Sequence, residues 1–367
     1  MSELYIGLMS GTSIDAIDAV VVDFSNDQLA IKAHHSTPFE QSVRDRILAA
    51  ANGTTDSLDE IARLDRELGL LYATAVRELL QKAQVDQTSI RAIGSHGQTV
   101  RHEPTANPPF SVQLGDPNTI AHETGIVTVA DFRRRDIAAG GEGAPLVPAF
   151  HAAFFSTDEP RVIANIGGIA NLTILPANAS LPVMGFDTGP GNVLMDCWAT
   201  EHLNTPYDED GQWAATGQAG ASLLRQFMTE PYFKKPPPKS TGRELFNLEW
   251  IKTMLGERTT DPANVQATLC ALTAQAIKAG VDQYAPDTKR VLICGGGAKN
   301  TALMGQLKRA FMTLPIESTA SIGIDPQWVE ASAFAWLARQ TVCSKPGNLP
   351  SVTGATRPVV LGGIYTA

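Results

Sequence analysis

Val162-Ile163-Ala164-Asn165-Ile166-Gly167-Gly168-Ile169-Ala170-Asn171-Leu172 sets the architecture. A short apolar, β-branched run, Val162 to Ile166, reads as a strand that enters a two-glycine turn, and Ala170 to Leu175 reads as its hairpin partner. The same order occurs earlier in the chain. Leu4 to Met9 is an apolar strand, Ser10 to Ser13 a turn, and Ala19 to Val22 the end of a second strand. With a third strand near Leu29 to His35, these form an antiparallel meander. Downstream of the meander and of the later hairpin the pattern changes from strand to helix. Ser57 and Glu60 have capping-box spacing, and Ile61, Leu64, Leu68, Leu71, Ala75 and Leu79 recur at helical spacing. In the later half Asp261-Pro262 begins a helix whose apolar stripe is Val265, Leu269, Leu272 and Ala276. Strands at Arg91 to Ser95 and Ile126 to Ala130 follow the first helix. A strand at Val291 to Cys294, running into Gly295-Gly296-Gly297, follows the second. Asn300 can cap the next helix, and Asp325-Pro326 starts another.

This is a repeat of architecture rather than of letters. Two αβ units with glycine turns at matching places predict a two-lobed α/β enzyme with a central cleft. The expected division is residues 1–138 for the first lobe and 139–343 for the second, with 344–367 returning to the first. The glycine-rich stretch Gly140 to Pro145 marks the boundary.

Composition bounds the partners. With 367 residues, two domains are expected. A net charge of −9 argues against nucleic acid or an anionic membrane as the main partner. It does not argue against ATP, which needs only local N–H donors and a cation or two. The four cysteines, Cys197, Cys270, Cys294 and Cys343, form no C-x-x-C pair, so zinc and dithiol chemistry lack support and a reduced, cytoplasmic setting is expected. No apolar run approaches the ~18 residues of a membrane span, and the N-terminus has no basic leader region.

The familiar nucleotide and hydrolase signatures are missing. There is no G-x-x-x-x-G-K-[ST], no complete G-x-G-x-x-G and no G-x-S-x-G. What remains is a set of small-residue turns placed directly after strands. Gly11-Thr12-Ser13, with Asp15 and Asp18 beyond, and Gly167-Gly168 could each present backbone N–H groups to phosphate. Each could equally be a plain hairpin turn. Gly295-Gly296-Gly297 could admit a flat base, or simply be a tight strand-to-helix turn. Gly185-Phe186-Asp187-Thr188-Gly189-Pro190-Gly191-Asn192 holds one carboxylate in a rigid setting, as a general base requires, although an Asx-turn aspartate looks the same. Phe132-Arg133-Arg134-Arg135-Asp136 could fork onto a carboxylate or be a solvated basic loop. His96 is a strand-end histidine or a base, and Glu330 sits where a helix dipole alone would explain it.

Taken together, these stretches resemble the anhydro-N-acetylmuramic acid kinases. The similarity runs in order through Met9 to Asp15, Gly94 to Thr99, Asp131 to Asp136, Asn165 to Leu172, Gly185 to Asn192, Lys239 to Glu244, Cys294 to Gly297 and Leu349 to Ala355. Ala16 departs from it, since a glycine is expected there. The resemblance implies the duplicated RNase H-like fold of actin, Hsp70 and sugar kinases, with nucleotide in the cleft. It implies an ATP- and Mg²⁺-dependent homodimer acting in peptidoglycan recycling. Water would open the 1,6-anhydro ring and the γ-phosphate would pass to O6. By the same resemblance Asp187 would be the base. Gly11, Thr12, Ser13, Ile14, Asp15, Ala16, Ile17, Asp18, Gly167, Gly168, Gly295, Gly296, Gly297 and Asn300 would hold ATP. Thr99, Arg133 and Glu330 would hold the sugar, Arg133 through the lactyl carboxylate. The competing readings are a kinase of another small acceptor, an actin- or Hsp70-like ATP-hydrolysing regulator, and a sugar-binding module without nucleotide. The residues holding Mg²⁺ stay open among Asp15, Asp18 and Asp187, and Lys239 to Glu244 has no assigned part.

Overall fold

The structure is a computed structural model that describes residues 2–11, 13–55 and 57–367. In chain order the strands are β1 (Leu4–Met9), β2 (Ala16–Asp23), β3 (Ala30–Pro38), β4 (Ile90–Ser95), β5 (Gln98–Glu103), β6 (Phe110–Leu114) and β7 (Thr128–Ala130). They continue as β8 (Arg161–Ile166), β9 (Ile169–Leu175), β10 (Met184–Pro190), β11 (Arg290–Cys294), β12 (Ile316–Ser318) and β13 (Gly363–Tyr365). Two compact units contain them: Met1–Phe154 with Trp328–Ala367, and Phe155–Gln327.

The first unit has a sheet of order β13-β7-β4-β1-β2-β3 and a separate ribbon of β5 and β6. β1, β2 and β3 pair antiparallel, and β4 and β7 extend the sheet from β1 in parallel. The second unit's sheet has the order β10-β9-β8-β11-β12. Here β8, β9 and β10 are the antiparallel meander, and β11 and β12 extend it from β8 in parallel. Each unit therefore places its third, second, first, fourth and fifth strands side by side with the same directions. That shared order makes this a duplicated RNase H-like α/β fold.

Both central strands are buried on both faces. Every residue of β8 is buried, as are the first five of β1, which explains why these segments read as continuous apolar runs. In the first unit, helix Leu58–Ala83 begins with the Ser57 side chain accepting from the Glu60 N–H at 3.4 Å. It packs Leu64, Leu68, Tyr72, Ala75 and Leu79 with Ile6, Leu8, Val21 and Ile93. In the second unit, helix Pro262–Tyr284 starts on Asp261, whose carboxylate accepts from the Ala263 N–H at 2.8 Å. It packs Leu269, Leu272 and Ile277 with Val162, Ala164, Leu172 and Phe186.

Helix Val329–Val342 lies on β1 and β4 at backbone contact distance. A Cβ at Gly7 would stand 1.8 Å from the Ala331 carbonyl oxygen, and one at Gly94 would stand 2.0 Å from that of Phe334. Only glycine permits this approach. Because of it, this helix belongs to the first unit, whereas the sequence placed it in the second lobe.

The stretch Gly140 to Pro145 likewise differs from the expected boundary, because it is fastened inside the first unit. Asp136 is fully buried and accepts from the Gly143 N–H at 2.8 Å, Asn348 Nδ2 at 2.6 Å and Thr353 Oγ1 at 2.8 Å. One carboxylate thus joins helix Phe132–Ala138, the glycine turn and the C-terminal segment. Asp136→Ala would leave three buried donors without an acceptor, at about 1–3 kcal/mol each. The expected result is a Tm lower by roughly 6 °C or more by calorimetry; an unchanged Tm would show that the latch carries no stability.

Candidate active site

In the first unit, β1 and β2 are joined through residues 10–15. Ser10 is buried, its Oγ 2.5 Å from the Tyr72 hydroxyl, and the Ile14 N–H donates to the Gly11 carbonyl at 3.2 Å. Ile14, with φ 57°, and Ile17 bury their side chains in the core, so any part they play with phosphate falls to their backbones. Ala16 begins β2 opposite Pro38. Asp15 is on the surface, 54% exposed, with its carboxylate 3.1 Å from Arg44. Asp18 lies in β2 opposite Met9. Thr12 lies outside the described residues.

Arg133 is the one arginine of its triplet that turns inward; Arg134 and Arg135 are exposed. The turn in direction comes from the helix. Residues 133 and 136 share a face at i, i+3 spacing, and the face that buries Asp136 takes Arg133 with it. Nε and Nη2 of Arg133 donate to His96 Nε2 at 3.2 and 2.8 Å, and Nη1 donates to the Gly143 carbonyl at 2.8 Å. Burial draws the guanidinium pKa down to about 10, while the carboxylates of Glu330 and Asp136 oppose that fall. At neutral pH it remains charged. His96 goes the other way: burial, and then the Arg133 charge, hold its pKa well below the usual range. Glu330 lies in the first turn of helix Val329–Val342, and its charge acts on Arg133. Thr99 lies in β5 and accepts from Gln113 Nε2 at 3.2 Å.

In the second unit, the two-glycine turn after β8 docks onto the end of the Asp187 stretch. The N–H groups of Gly191 and Val193 donate to the Gly168 carbonyl at 2.8 and 3.0 Å, and that of Asn192 donates to Gly167 at 2.8 Å. Gly295 and Gly297 pack onto β8: added Cβ atoms would lie 2.4 Å from Asn165 Oδ1 and 2.4 Å from Ile166 Cγ2. Asn300 caps helix Thr301–Phe311 by accepting from the Leu303 N–H at 2.9 Å. Gly167–Gly168, Asn192 and Gly295–Gly297 therefore gather at one end of β8. Three glycines in the nominated turns keep open space beside them. A Cβ on Gly11, Gly167 or Gly296 would meet no atom closer than 3.7 Å, leaving backbone accessible to a ligand. A phosphate or a flat ring suits such surfaces. Among the described residues no group of three or more His, Cys, Asp or Glu could hold a metal.

Asp187 sits in β10, an edge strand, opposite Asn171 and just before an irregularity in the register. An edge position also accommodates Pro190, which has no N–H to give a neighbour. The Asp187 carboxylate accepts from the Thr241 N–H at 3.0 Å through Oδ2. Its backbone is pinned on both sides: its N–H donates to the Lys239 carbonyl at 3.1 Å, and its carbonyl accepts from the Tyr232 hydroxyl at 2.9 Å. Burial, followed by the Asp187 and Glu244 carboxylates, pushes the Tyr232 pKa up, so the hydroxyl stays a donor. The Lys239 ammonium, 4.7 Å from the centre of the Tyr232 ring, keeps positive charge near Asp187.

Sequence reasoning gave no part to Thr241 or Tyr232, or to His96 as a partner of Arg133. Thr241 acts on Asp187 through its backbone N–H, 54 positions along the chain. No residue-type pattern could have pointed to it. The block Lys239 to Glu244 was visible, but not what it held.

Residues 3–367 match the family described as "Anhydro-N-acetylmuramic acid kinase". A protein of that name from Coxiella burnetii is 51% identical over 364 residues, covering 99% of this chain and 97% of its own. Another, from Xanthomonas campestris pv. campestris, is 48% identical over 371 residues, covering 100% and 98%. Among solved structures, the activator of the 2-hydroxyisocaproyl-CoA dehydratase from Clostridium difficile aligns at 15% identity over 91% of this chain and 93% of its own, with a TM-score of 0.48. With an end-to-end match at half identity, the chain belongs to the anhydro-N-acetylmuramic acid kinase family.

Proposed function

We infer that the chain performs the reaction implied by its family's name through the residues nominated above. Its substrate is 1,6-anhydro-N-acetylmuramic acid and its phosphate donor is ATP. Water adds to C1, the bridging oxygen leaves C1 and remains on C6 as O6, and O6 takes the γ-phosphoryl group. The products are N-acetylmuramic acid 6-phosphate and ADP, consistent with peptidoglycan recycling.

Asp187 takes the proton from the attacking water. The observation that carries this assignment is the three-point fixing of Asp187 by Thr241, Lys239 and Tyr232. A base is effective only when held within hydrogen-bond reach of the proton it removes, and here neither the backbone nor one carboxylate oxygen needs reordering. Arg133 holds the lactyl carboxylate, and Thr99 and Glu330 hydrogen-bond the sugar. The turns at Gly11–Asp18 and Gly167–Gly168 bind the phosphates. Gly295–Gly297 and Asn300 border the adenosine. Mg²⁺, when bound, neutralises developing phosphate charge, and the carboxylates available to it are Asp15, Asp18 and Asp187.

The same reading makes the enzyme a cytoplasmic homodimer with no nucleic-acid or membrane partner. No helix among the described residues is long and apolar enough to cross a membrane. Mass spectrometry of the product formed in ¹⁸O-labelled water tests the reaction. The expected product carries the label on the C1 hydroxyl and phosphate on O6. Label in the phosphate would mean ATP hydrolysis without sugar opening, and would overturn the assignment.

A further inference from the structure

The guanidinium of Arg133 has five N–H donors and no acceptor. Three of the five are engaged: two converge on His96 Nε2, at 3.2 and 2.8 Å, and one reaches the Gly143 carbonyl at 2.8 Å. Among the described residues, no hydrogen bond takes the remaining N–H on each terminal nitrogen. A carboxylate takes a planar guanidinium through two parallel N–H groups, so the orientation of the fork decides whether that bidentate pair can form.

His96 is well suited to set that orientation. It is 5% exposed, at the end of β4, and its N–H donates to the Leu8 carbonyl of β1 at 3.1 Å. Its ring lies against Phe334 of helix Val329–Val342, centroids 4.6 Å apart. Both the backbone and the ring plane are therefore held by the core. A neutral imidazole has one donor and one acceptor, and accepting from arginine at Nε2 requires the proton to be on Nδ1. Burial and the adjacent guanidinium both disfavour a second proton.

We propose that His96 is a positioning residue for substrate selection. Its Nε2 lone pair holds one edge of the Arg133 guanidinium and, with the Gly143 carbonyl, leaves a two-pronged donor pair for the substrate carboxylate. The proposal rests on Arg133 being the carboxylate partner. It assigns the selection of acidic over neutral anhydro-sugars to a neutral histidine that need not touch substrate.

Two amide variants separate positioning from packing. The glutamine amide reaches about as far as imidazole Nε2, whereas the asparagine amide reaches only as far as Nδ1. His96→Asn is expected to raise KM for 1,6-anhydro-N-acetylmuramic acid roughly tenfold or more, with KM for ATP within about twofold of the parent. It should also reduce the preference for this substrate over 1,6-anhydro-N-acetylglucosamine, which lacks the lactyl carboxylate. His96→Gln is expected to restore most of both. Equal sugar KM values in the two variants would overturn the proposal. Arg133→Ala, run alongside, distinguishes the failures: if it leaves the sugar KM unchanged, the Arg133 reading falls first and this one with it. A measurement on the unmodified enzyme guards against variants that do not fold. The ¹⁵N shifts of the His96 ring near neutral pH should show a protonated Nδ1 and a bare Nε2; a protonated Nε2 would overturn the proposal.

Discussion

Asp187→Asn is expected to lower turnover by about 10²–10⁴-fold while leaving ATP affinity unchanged. Asparagine has nearly the same shape as aspartate and keeps a side-chain oxygen that can accept from the Thr241 N–H, the bond measured at 3.0 Å in the parent. The backbone bonds to Lys239 and Tyr232 do not depend on the side chain. The mount survives, and what is lost is the basicity. Isothermal titration with a non-hydrolysable ATP analogue and single-turnover kinetics read the two effects separately. Turnover within a few-fold of the parent would remove Asp187 from the role of base. Loss of ATP binding would instead reassign it to the nucleotide. Asp187→Ala would be a poorer test, because it also leaves the Thr241 N–H without its acceptor.

Arg133→Ala is expected to raise KM for the anhydro-sugar roughly 10–100-fold, the value of a charge-assisted pair, and to leave KM for ATP unchanged. Steady-state kinetics with each substrate varied in turn make the check. The variant also leaves the Gly143 carbonyl and His96 Nε2 without their donors, so some loss of stability accompanies it. Arg133→Lys separates charge from shape. An ammonium keeps the charge but cannot hold His96, Gly143 and a bidentate carboxylate at once. Its sugar KM should therefore remain well above that of the parent. A sugar KM near the parental value in Arg133→Ala would transfer carboxylate recognition to another residue.

How much was legible in the sequence follows the range of each interaction. The meander around Gly11 and the hairpin around Gly167 could be read because strand, glycine turn and strand are neighbours in the chain. The caps at Ser57, Asp261 and Asn300 could be read because a cap spans only two or three residues. The unit boundary could not. Gly140 to Pro145 looks like a linker by composition, but the buried Asp136 carboxylate and the Thr353 carbonyl tie it to partners more than 200 positions away, inside the first unit. Helix Val329–Val342 was recognisable near its start, but its partner strand was not. Gly7 and Gly94 show what they are for only when the helix backbone is seen against them.

The glycine turns were found from sequence, and tertiary structure distinguished between them. Gly295 and Gly297 are required by contact with β8, whereas Gly11, Gly167 and Gly296 have open space beside them. Sequence by itself determined the order of elements, the duplication, the family and the identity of Asp187 and Arg133 as the residues to watch, because each depends on local pattern or on motifs read in order. Tertiary structure alone decided which of three adjacent arginines turns inward, that its hydrogen bonds go to His96 and Gly143, and that a backbone N–H from residue 241 reaches the Asp187 carboxylate. Those outcomes depend on groups brought together from distant parts of the chain, often through main-chain atoms that every residue type shares, so they leave no mark on the order of the letters.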